Sequence, residues 1–150
     1  MTTQVAFYQL RSRQPNGKFR LACHTVNTAF QKGHNVYIAV DDESQCTYFN
    51  ELLWTFSQNS FVPHTIYSAK RSIDTEKFPV IVSCVRPPHM FNDVLATLRD
   101  EVPEFFQQFS RVAEVVDADE RDMHKAKLRS ETYRSILGAA PESHLISRSV

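Results

Sequence analysis

The sequence predicts an α/β fold in which helices flank a largely parallel central sheet. Short apolar runs alternate along the chain with segments whose apolar residues recur every three to four positions, as in amphipathic helices. The runs at 36–40 and 79–85 are nearly continuous, which is typical of strands buried on both faces of a parallel sheet. The chain has 150 residues, of which 42% are hydrophobic, and we expect 1–150 to form a single domain.

The first two strands and the first helix have simple patterns. Residues 4–10 are aromatic and β-prone, which predicts a strand. Apolar residues at i, i+3 and i+4 spacing predict a helix over 18–31, with Gly33 as its C-cap. The second strand follows at 36–40.

The second predicted helix places its tryptophan away from the core. Asp41 and Asp42 indicate a helix N-terminus, and Ser44 is a candidate N-cap. The apolar stripe of this helix consists of Phe49, Leu52, Leu53 and Phe56. Trp54 points roughly 150° away from the centre of that stripe. We therefore expect Trp54 to lie outside the core that the stripe enters.

The middle of the chain predicts two strands and one ambiguous segment. Residues 61–67 are a candidate strand, and Pro63 within them suits a position at the edge of the sheet. Residues 79–85 are predicted to form a buried strand. Residues 91–109 fit either one helix interrupted by Pro103, or a strand at 93–98 followed by a turn and a short helix that begins at Pro103. We favour the second interpretation.

The last third predicts a strand at 112–117 and a closing helix at 120–137. The tail at 139–150 contains one proline and several serines and has no apolar periodicity. We expect it to be frayed.

The charges balance overall but not along the chain. There are 17 basic and 17 acidic residues, which argues against a general nucleic-acid coat. Residues 1–40 carry five basic and no acidic side chains. Residues 92–120 carry two basic and eight acidic side chains, whereas residues 121–150 carry six basic and three acidic side chains. A local basic site for an acidic peptide is compatible with this distribution.

Three widely spaced cysteines fit neither a disulfide framework nor a CxxC metal site. No stretch approaches the roughly 20 apolar residues of a membrane span, and the first residues lack the apolar core of a signal peptide. We therefore expect a cytoplasmic protein.

The residues that common catalytic and cofactor sites require are missing. The three glycines form no phosphate-binding loop, and the six histidines have no metal-ligand spacing. No nucleophile motif is present. The sequence thus predicts no catalytic residue, no cofactor and no metal.

One enzymatic alternative stays open. In a small α/β nucleotide or phosphate-ester enzyme, an anion would bind at the carboxyl ends of the strands, and Asp41 or Asp42 would act as acid or metal ligand. The candidate anion-binding residues are Arg11, Arg13, Arg86 and His89.

Two features indicate partner binding. The first is Trp54 together with Phe61 and Pro63, a candidate exposed apolar patch. The second is the closing helix, on which cations border the apolar face formed by Met123, Ala126, Tyr133 and Leu137. One basic flank contains Arg121, Lys125 and Arg129, and the other contains Lys127 and Arg134.

Several segments resemble the chi subunit family of bacterial DNA polymerase III holoenzyme. The most specific is Leu53-Trp54 followed by the Phe-Val-Pro-His motif at 61–64. Others lie in the same order at 7–10, 33–39, 93–99, 114–117 and 133–134. The likeness extends over essentially the whole chain.

The resemblance implies a Rossmann-like α/β fold without catalytic activity, since other subunits of the holoenzyme supply catalysis. Chi proteins bridge the psi subunit of the clamp loader to the acidic-hydrophobic C-terminal tail of single-stranded DNA-binding protein, and some also join a repair helicase through the surface that faces psi. Direct DNA binding is not expected. Trp54 and Phe61 match aromatic positions of that surface. The predicted psi contacts are Trp54, Phe61, Val62 and Pro63.

In the family, the tail of single-stranded DNA-binding protein binds the closing helix. Lys127 falls on a family arginine position, whereas Ser130 and Glu131 stand where the best-known pattern has an aromatic residue and a lysine. With that departure, the site would be weaker, shifted toward Lys125 and Arg129, or lost. The predicted tail contacts are Lys125, Lys127, Arg129, Tyr133 and Arg134.

Overall fold

The computed structural model describes residues 2–56, 62–68, 77–148 and 150. In these residues seven strands form one sheet: β1 (Gln4–Leu10), β2 (Val36–Ala39), β3 (His64–Ile66), β4 (Val80–Ser83), β5 (Val94–Thr97), β6 (Arg111–Val116) and β7 (Glu142–Ile146). Three α-helices accompany them: α1 (Gly17–Gln31), α2 (Glu43–Thr55) and α3 (Glu120–Leu137). The strand order is β3-β4-β2-β5-β6-β1-β7, and all neighbouring strands are parallel. The predicted α/β fold with a parallel sheet is confirmed.

The helices cover the two faces of the sheet unequally. Helices α1 and α2 bury their apolar side chains against one face, where Val36 and Ile38 of β2 contribute to the core. Helix α3 packs against the other face, together with buried phenylalanines and Tyr133. These are called the α1 face and the α3 face below. No helix in the described residues is long and apolar enough to cross a membrane.

The ambiguous segment contains the predicted strand, and the short helix predicted from Pro103 is reduced to a single 3-10 turn. Strand β5 lies between β2 and β6, as the favoured interpretation requires. After Pro103 the chain forms only a 3-10 turn at Phe106–Gln108, which begins where the Phe106 N–H donates to the Pro103 carbonyl at 3.1 Å. The side chains of Phe105, Phe106 and Phe109 are all buried, and a tight turn places all three on the α3 face.

Helix α2 begins two residues earlier than an N-cap at Ser44 would place it. Asp42 is the N-cap, and its carboxylate accepts the Gln45 N–H at 2.8 Å. The prediction of Ser44 as the cap is therefore wrong, because Asp42 has the extended backbone that a cap requires. Helix α3 begins in the same way at Asp119.

The prediction of a frayed tail is also wrong. Strand β7 pairs in parallel with β1, from Ala6 opposite Glu142 to Leu10 opposite Ile146. The His144 ring stacks on the Tyr8 ring with 5.1 Å between centroids. As an edge strand with exposed, polar side chains, β7 lacks the apolar pattern that reveals a buried strand.

Candidate partner-binding surfaces

The end of α2 presents an exposed tryptophan. Trp54 is 53% exposed, whereas Phe49 and Leu53 of the same helix are buried in the core of the α1 face. The predicted position of Trp54 outside the core is confirmed.

A buried histidine lies against this tryptophan. The His64 ring is 4.6 Å from the Trp54 ring, and its two nitrogens lie 2.6 and 3.0 Å from the carbonyl oxygens of Val62 and Asn50. These contacts connect the end of α2 to the start of β3. His64 belongs to the Phe-Val-Pro-His motif at 61–64, but its contact with Trp54 was not predicted.

The other predicted psi contacts differ in exposure. Pro63 is partly exposed, but Val62 is buried and packs in the core of the α1 face. Val62 thus cannot offer a side chain to a partner unless the core opens. Phe61 lies outside the described residues. We call Trp54 with Pro63, supported by His64, the Trp54 patch.

A second surface feature lies where β2 and β5 end, beside α3. It is a pocket of about 770 Å³, which we call the α3 pocket. Its lining consists of Asp41, Arg99, Asp100, Glu101, Val102, Lys125, Leu128, Arg129 and Thr132. The pocket thus combines three cations, three carboxylates and apolar groups.

The inner wall of the α3 pocket is a buried ion pair. The Arg129 Nε donates to Glu114 Oε1 at 3.0 Å, and the Tyr133 hydroxyl donates to Glu114 Oε2 at 2.7 Å. Burial raises the pKa of Glu114 to about 7, while Arg129 and the Tyr133 hydrogen bond act in the opposite direction. Arg129 is only 3% exposed, so it is buried beneath the basic flank on which the sequence places it. The reason is that Glu114 on β6 faces α3 and needs a buried cationic partner.

The outer wall is formed around Asp100, which follows β5 and contacts both Lys125 and Arg129 of α3. Lys125 Nζ lies 3.1 Å from Asp100 Oδ2, and this hydrogen bond holds the pKa of Asp100 below its ordinary value. Arg129 Nη1 donates to the Asp100 carbonyl at 3.1 Å, and the Asp100 N–H donates to Asp41 Oδ2 at 3.2 Å. Arg99 Nε lies 3.9 Å from Asp41 Oδ1, which is too long for a hydrogen bond.

Two guanidinium nitrogens at this pocket have no hydrogen-bond partner in the described structure. They are Arg99 Nε and Arg129 Nη2, and both are buried. The Arg99 guanidinium also lies 6.0 Å from the Phe105 ring centroid, which holds it in place. Buried donors are normally paired, so this pocket is suited to an anion. Arg99 could not be predicted as a site residue, because no periodic pattern connects it to α3.

Exposed apolar side chains continue the pocket along α3. Leu128 is 51% exposed and Ile136 is 50% exposed. With Thr132 between them, they follow i, i+4 and i+8 and form one strip beside Lys125. Cationic and apolar groups therefore lie side by side on this flank.

The five predicted tail contacts do not lie on one surface. Lys125 and Arg129 line the α3 pocket, but Lys127 and Arg134 lie roughly 160–180° around the helix from Lys125. Tyr133 is fully buried against Phe7 and Phe106, so it cannot form an outer apolar wall. Leu128 and Ile136 are the exposed apolar residues instead.

The residues of the enzymatic alternative do not converge. Arg11 follows β1 while Arg86 and His89 follow β4, which is four strands away, a separation of roughly 19 Å. At the end of β1, Arg13 pairs with Asp119 at 2.9 Å. Beside it, Lys18 pairs with Asp122 at 2.9 Å. No cluster of potential metal ligands occurs among the described residues.

Comparison with known proteins gives a consistent family. Residues 1–139 match the family model described as DNA polymerase III chi subunit, HolC. The DNA polymerase III subunit chi of Pseudomonas aeruginosa is 31% identical over 132 residues, which cover 88% of this chain and 89% of the relative. The subunit chi of Haemophilus influenzae is 25% identical over 135 residues, which cover 89% of this chain and 92% of the relative. That of Escherichia coli is 26% identical over 118 residues, covering 77% of each. The chain belongs to the DNA polymerase III chi subunit family.

Proposed function

We propose that this protein is a non-catalytic replication accessory subunit of the cytoplasm. It links the psi subunit of the clamp loader to the C-terminal tail of single-stranded DNA-binding protein, and it needs no cofactor or metal. The observation that carries the proposal is the pair of unpartnered, buried guanidinium nitrogens beside exposed apolar residues in the α3 pocket. This combination fits an acidic peptide that ends in a hydrophobic residue.

In the proposed complex, the tail carboxylates bind the cations of the α3 pocket and its apolar end packs on α3. Arg129 and Arg99 supply the inner donors, and Lys125 supplies a cation at the entrance. Leu128 and Ile136 supply the apolar surface. Because Lys125 is about one-third exposed, its contribution should weaken as salt is added.

Isothermal titration calorimetry with the tail peptide at low salt tests this site. We expect Lys125→Gln to weaken binding by about five- to tenfold, since a charge-assisted hydrogen bond is lost. Lys127→Gln is the matched control, because it removes the same charge from the opposite flank of α3, and it should leave the affinity within about twofold. Equal weakening by both variants, or no binding by the wild type, would contradict the site.

The Trp54 patch is the proposed psi surface. An exposed tryptophan held against a buried histidine is a rigid aromatic anchor of the kind that dominates protein interfaces. The same surface is proposed for a repair helicase, so psi and the helicase would exclude each other.

Co-purification with psi tests this second surface. Trp54→Ala should abolish the complex while the circular dichroism of the chain stays unchanged, because Trp54 lies outside the core. Tyr48→Ala is the matched control, since Tyr48 is also an exposed aromatic residue of α2 but contacts Phe19 at a different position. If Trp54→Ala still co-purifies with psi, or if Tyr48→Ala is equally defective, the assignment to Trp54 fails.

A further inference from the structure

A cavity that the proposed function does not use lies on the α1 face. It lies between α1 and strands β1, β5, β6 and β7, is partly open to solvent, and has a volume of about 260 Å³. We call it the α1 cavity. It is slightly smaller than the roughly 300–1,000 Å³ of sites that hold drug-sized ligands, so its occupant must be small.

The floor of the α1 cavity is apolar and its rim is basic. The aliphatic side chains of the lining are Ala6, Leu21, Ala29, Val94, Ala113 and Ile146. Val5 and Val112 also border the cavity, but their side chains pack in the core of the α3 face. The rim carries the cations Lys32, Arg111 and Arg148. In the described structure, none of these three side chains forms a hydrogen bond or an ion pair.

The carboxylates near the cavity do not neutralise this rim. Glu142 is the one carboxylate in the described lining, and it lies 3.8 Å from His144. Asp93 is nearby but pairs with His34 at 3.0 Å. The pKa of His24 in the lining is lowered by burial and then by the charges of Arg148 and Arg20, as expected where positive charge is in excess.

We propose that the α1 cavity binds a small amphipathic anion, an apolar chain or ring that carries one carboxylate or phosphate. The apolar body would occupy the space between α1 and the sheet, and the anionic head would meet Lys32, Arg111 or Arg148 at the rim. The acid-free composition of residues 1–40, which the partner surfaces leave unexplained, contributes to this basic rim through Lys32.

This site is independent of the α3 pocket. The α1 cavity lies on the opposite face of the sheet and reaches the residues where β1, β5 and β6 begin, such as Gln4, Val94 and Arg111. The α3 pocket lies beyond the ends of β2 and β5. A failure of one site therefore leaves the other untouched.

The test is a titration of the ¹⁵N-labelled full chain with octanoate, octyl phosphate and octanol, followed by ¹H–¹⁵N correlation spectra. We expect at least one of the anions to bind with a dissociation constant on the order of 0.1–1 mM and to shift amides of α1, β1 and β7. Comparison of the two anions identifies the preferred head group. Octanol should bind at least tenfold more weakly, because it lacks the charge.

Variants locate the binding. Arg111→Gln should weaken binding of the anion by about tenfold. Thr25→Leu, which fills the cavity from α1, should abolish the amide shifts. Lys125→Gln in the α3 pocket is the matched control, and it should leave the anion-induced shifts of α1, β1 and β7 unchanged. The inference is overturned if neither anion binds, if octanol binds equally well, or if Lys125→Gln rather than Arg111→Gln removes binding. Arg111 is exposed, so its variant keeps the test valid even if Thr25→Leu does not fold.

Discussion

Glu114 is the residue on which the geometry of the α3 pocket depends. It is fully buried in β6, yet both of its oxygens are occupied by Arg129 and Tyr133 of α3. Removing one partner from such a group leaves a buried charge uncompensated, which costs more than the pair contributes. The ion pair therefore acts less as a source of stability than as a device that fixes Arg129 at the pocket wall.

The raised pKa of Glu114 predicts a pH dependence of stability. In the unfolded chain a glutamate titrates near its ordinary value of 4.5, and in the folded chain Glu114 titrates at about 7. Between these pH values Glu114 binds a proton in the folded chain but not in the unfolded chain, and this proton stabilises the folded state. The stabilisation is complete below about pH 4.5 and is lost as the pH rises through about 7. Denaturant unfolding at several pH values, compared with Glu114→Gln, isolates it. In the variant, the free energy of unfolding should lack this decrease with pH. The same decrease in both proteins would contradict the assignment to Glu114.

Asp100 should compete with an incoming acidic peptide for Lys125. Asp100→Asn removes the carboxylate that now pairs with Lys125, and we expect about two- to fivefold tighter tail binding by calorimetry. Glu104→Gln is the control, because it makes the same change in net charge at an exposed acid outside the pocket. Equal gains in both variants would mean that net charge alone is responsible.

At the scale of elements, β7 completes the sheet beyond β1. Its pairing converts the first strand of the chain from an edge into an interior strand. It also supplies one wall of the α1 cavity. Without β7, the side of β1 that does not pair with β6 would present unpaired backbone groups.

Truncation tests the contribution of β7. A chain that ends at 139 loses the β1–β7 hydrogen bonds, and we expect its free energy of unfolding to fall by about 2–5 kcal/mol in denaturant titrations. A chain that ends at 147 keeps β7 and should lose much less. If the shorter chain unfolds at the same denaturant concentration as the full chain, β7 contributes nothing to stability.

The strongly periodic elements were predictable from the sequence, and the exceptions have physical reasons. The closing helix was predicted at the bounds that α3 has, since apolar spacing and caps coincide there. The short helix predicted from Pro103 is reduced to a 3-10 turn, because the packing of three phenylalanines determines the backbone there. The placement of Trp54 succeeded because it needed only helical geometry. The placement of Arg129 failed because it depended on Glu114, 15 residues away on another element.

At the scale of the molecule, the two proposed partner surfaces are far apart. The Trp54 patch lies on the α1 face near the start of β3, and the α3 pocket lies on the other face beyond the ends of β2 and β5. Three inter-strand steps, roughly 14 Å, separate β3 from β5 within the sheet. Neither surface needs to move for the other to be occupied.

We therefore expect both partners to bind at once. The affinity for the tail peptide, measured by calorimetry on the complex with psi, should stay within about twofold of the value for the free chain. Trp54→Ala, which removes the aromatic centre of the proposed psi surface, should likewise leave tail binding unchanged. Competition between psi and the tail peptide would contradict this arrangement.

The parallel pairing of β1 has a consequence for how the chain reaches its native state. Thr3 donates a hydrogen bond to the carbonyl of Phe109, 106 positions further along, and both strands that pair with β1 come from the last third of the sequence. Ribosomes add roughly 5–20 residues per second, so β1 waits about 5–20 s for its first partner strand. During synthesis, the first strand to be made is thus among the last to join the sheet.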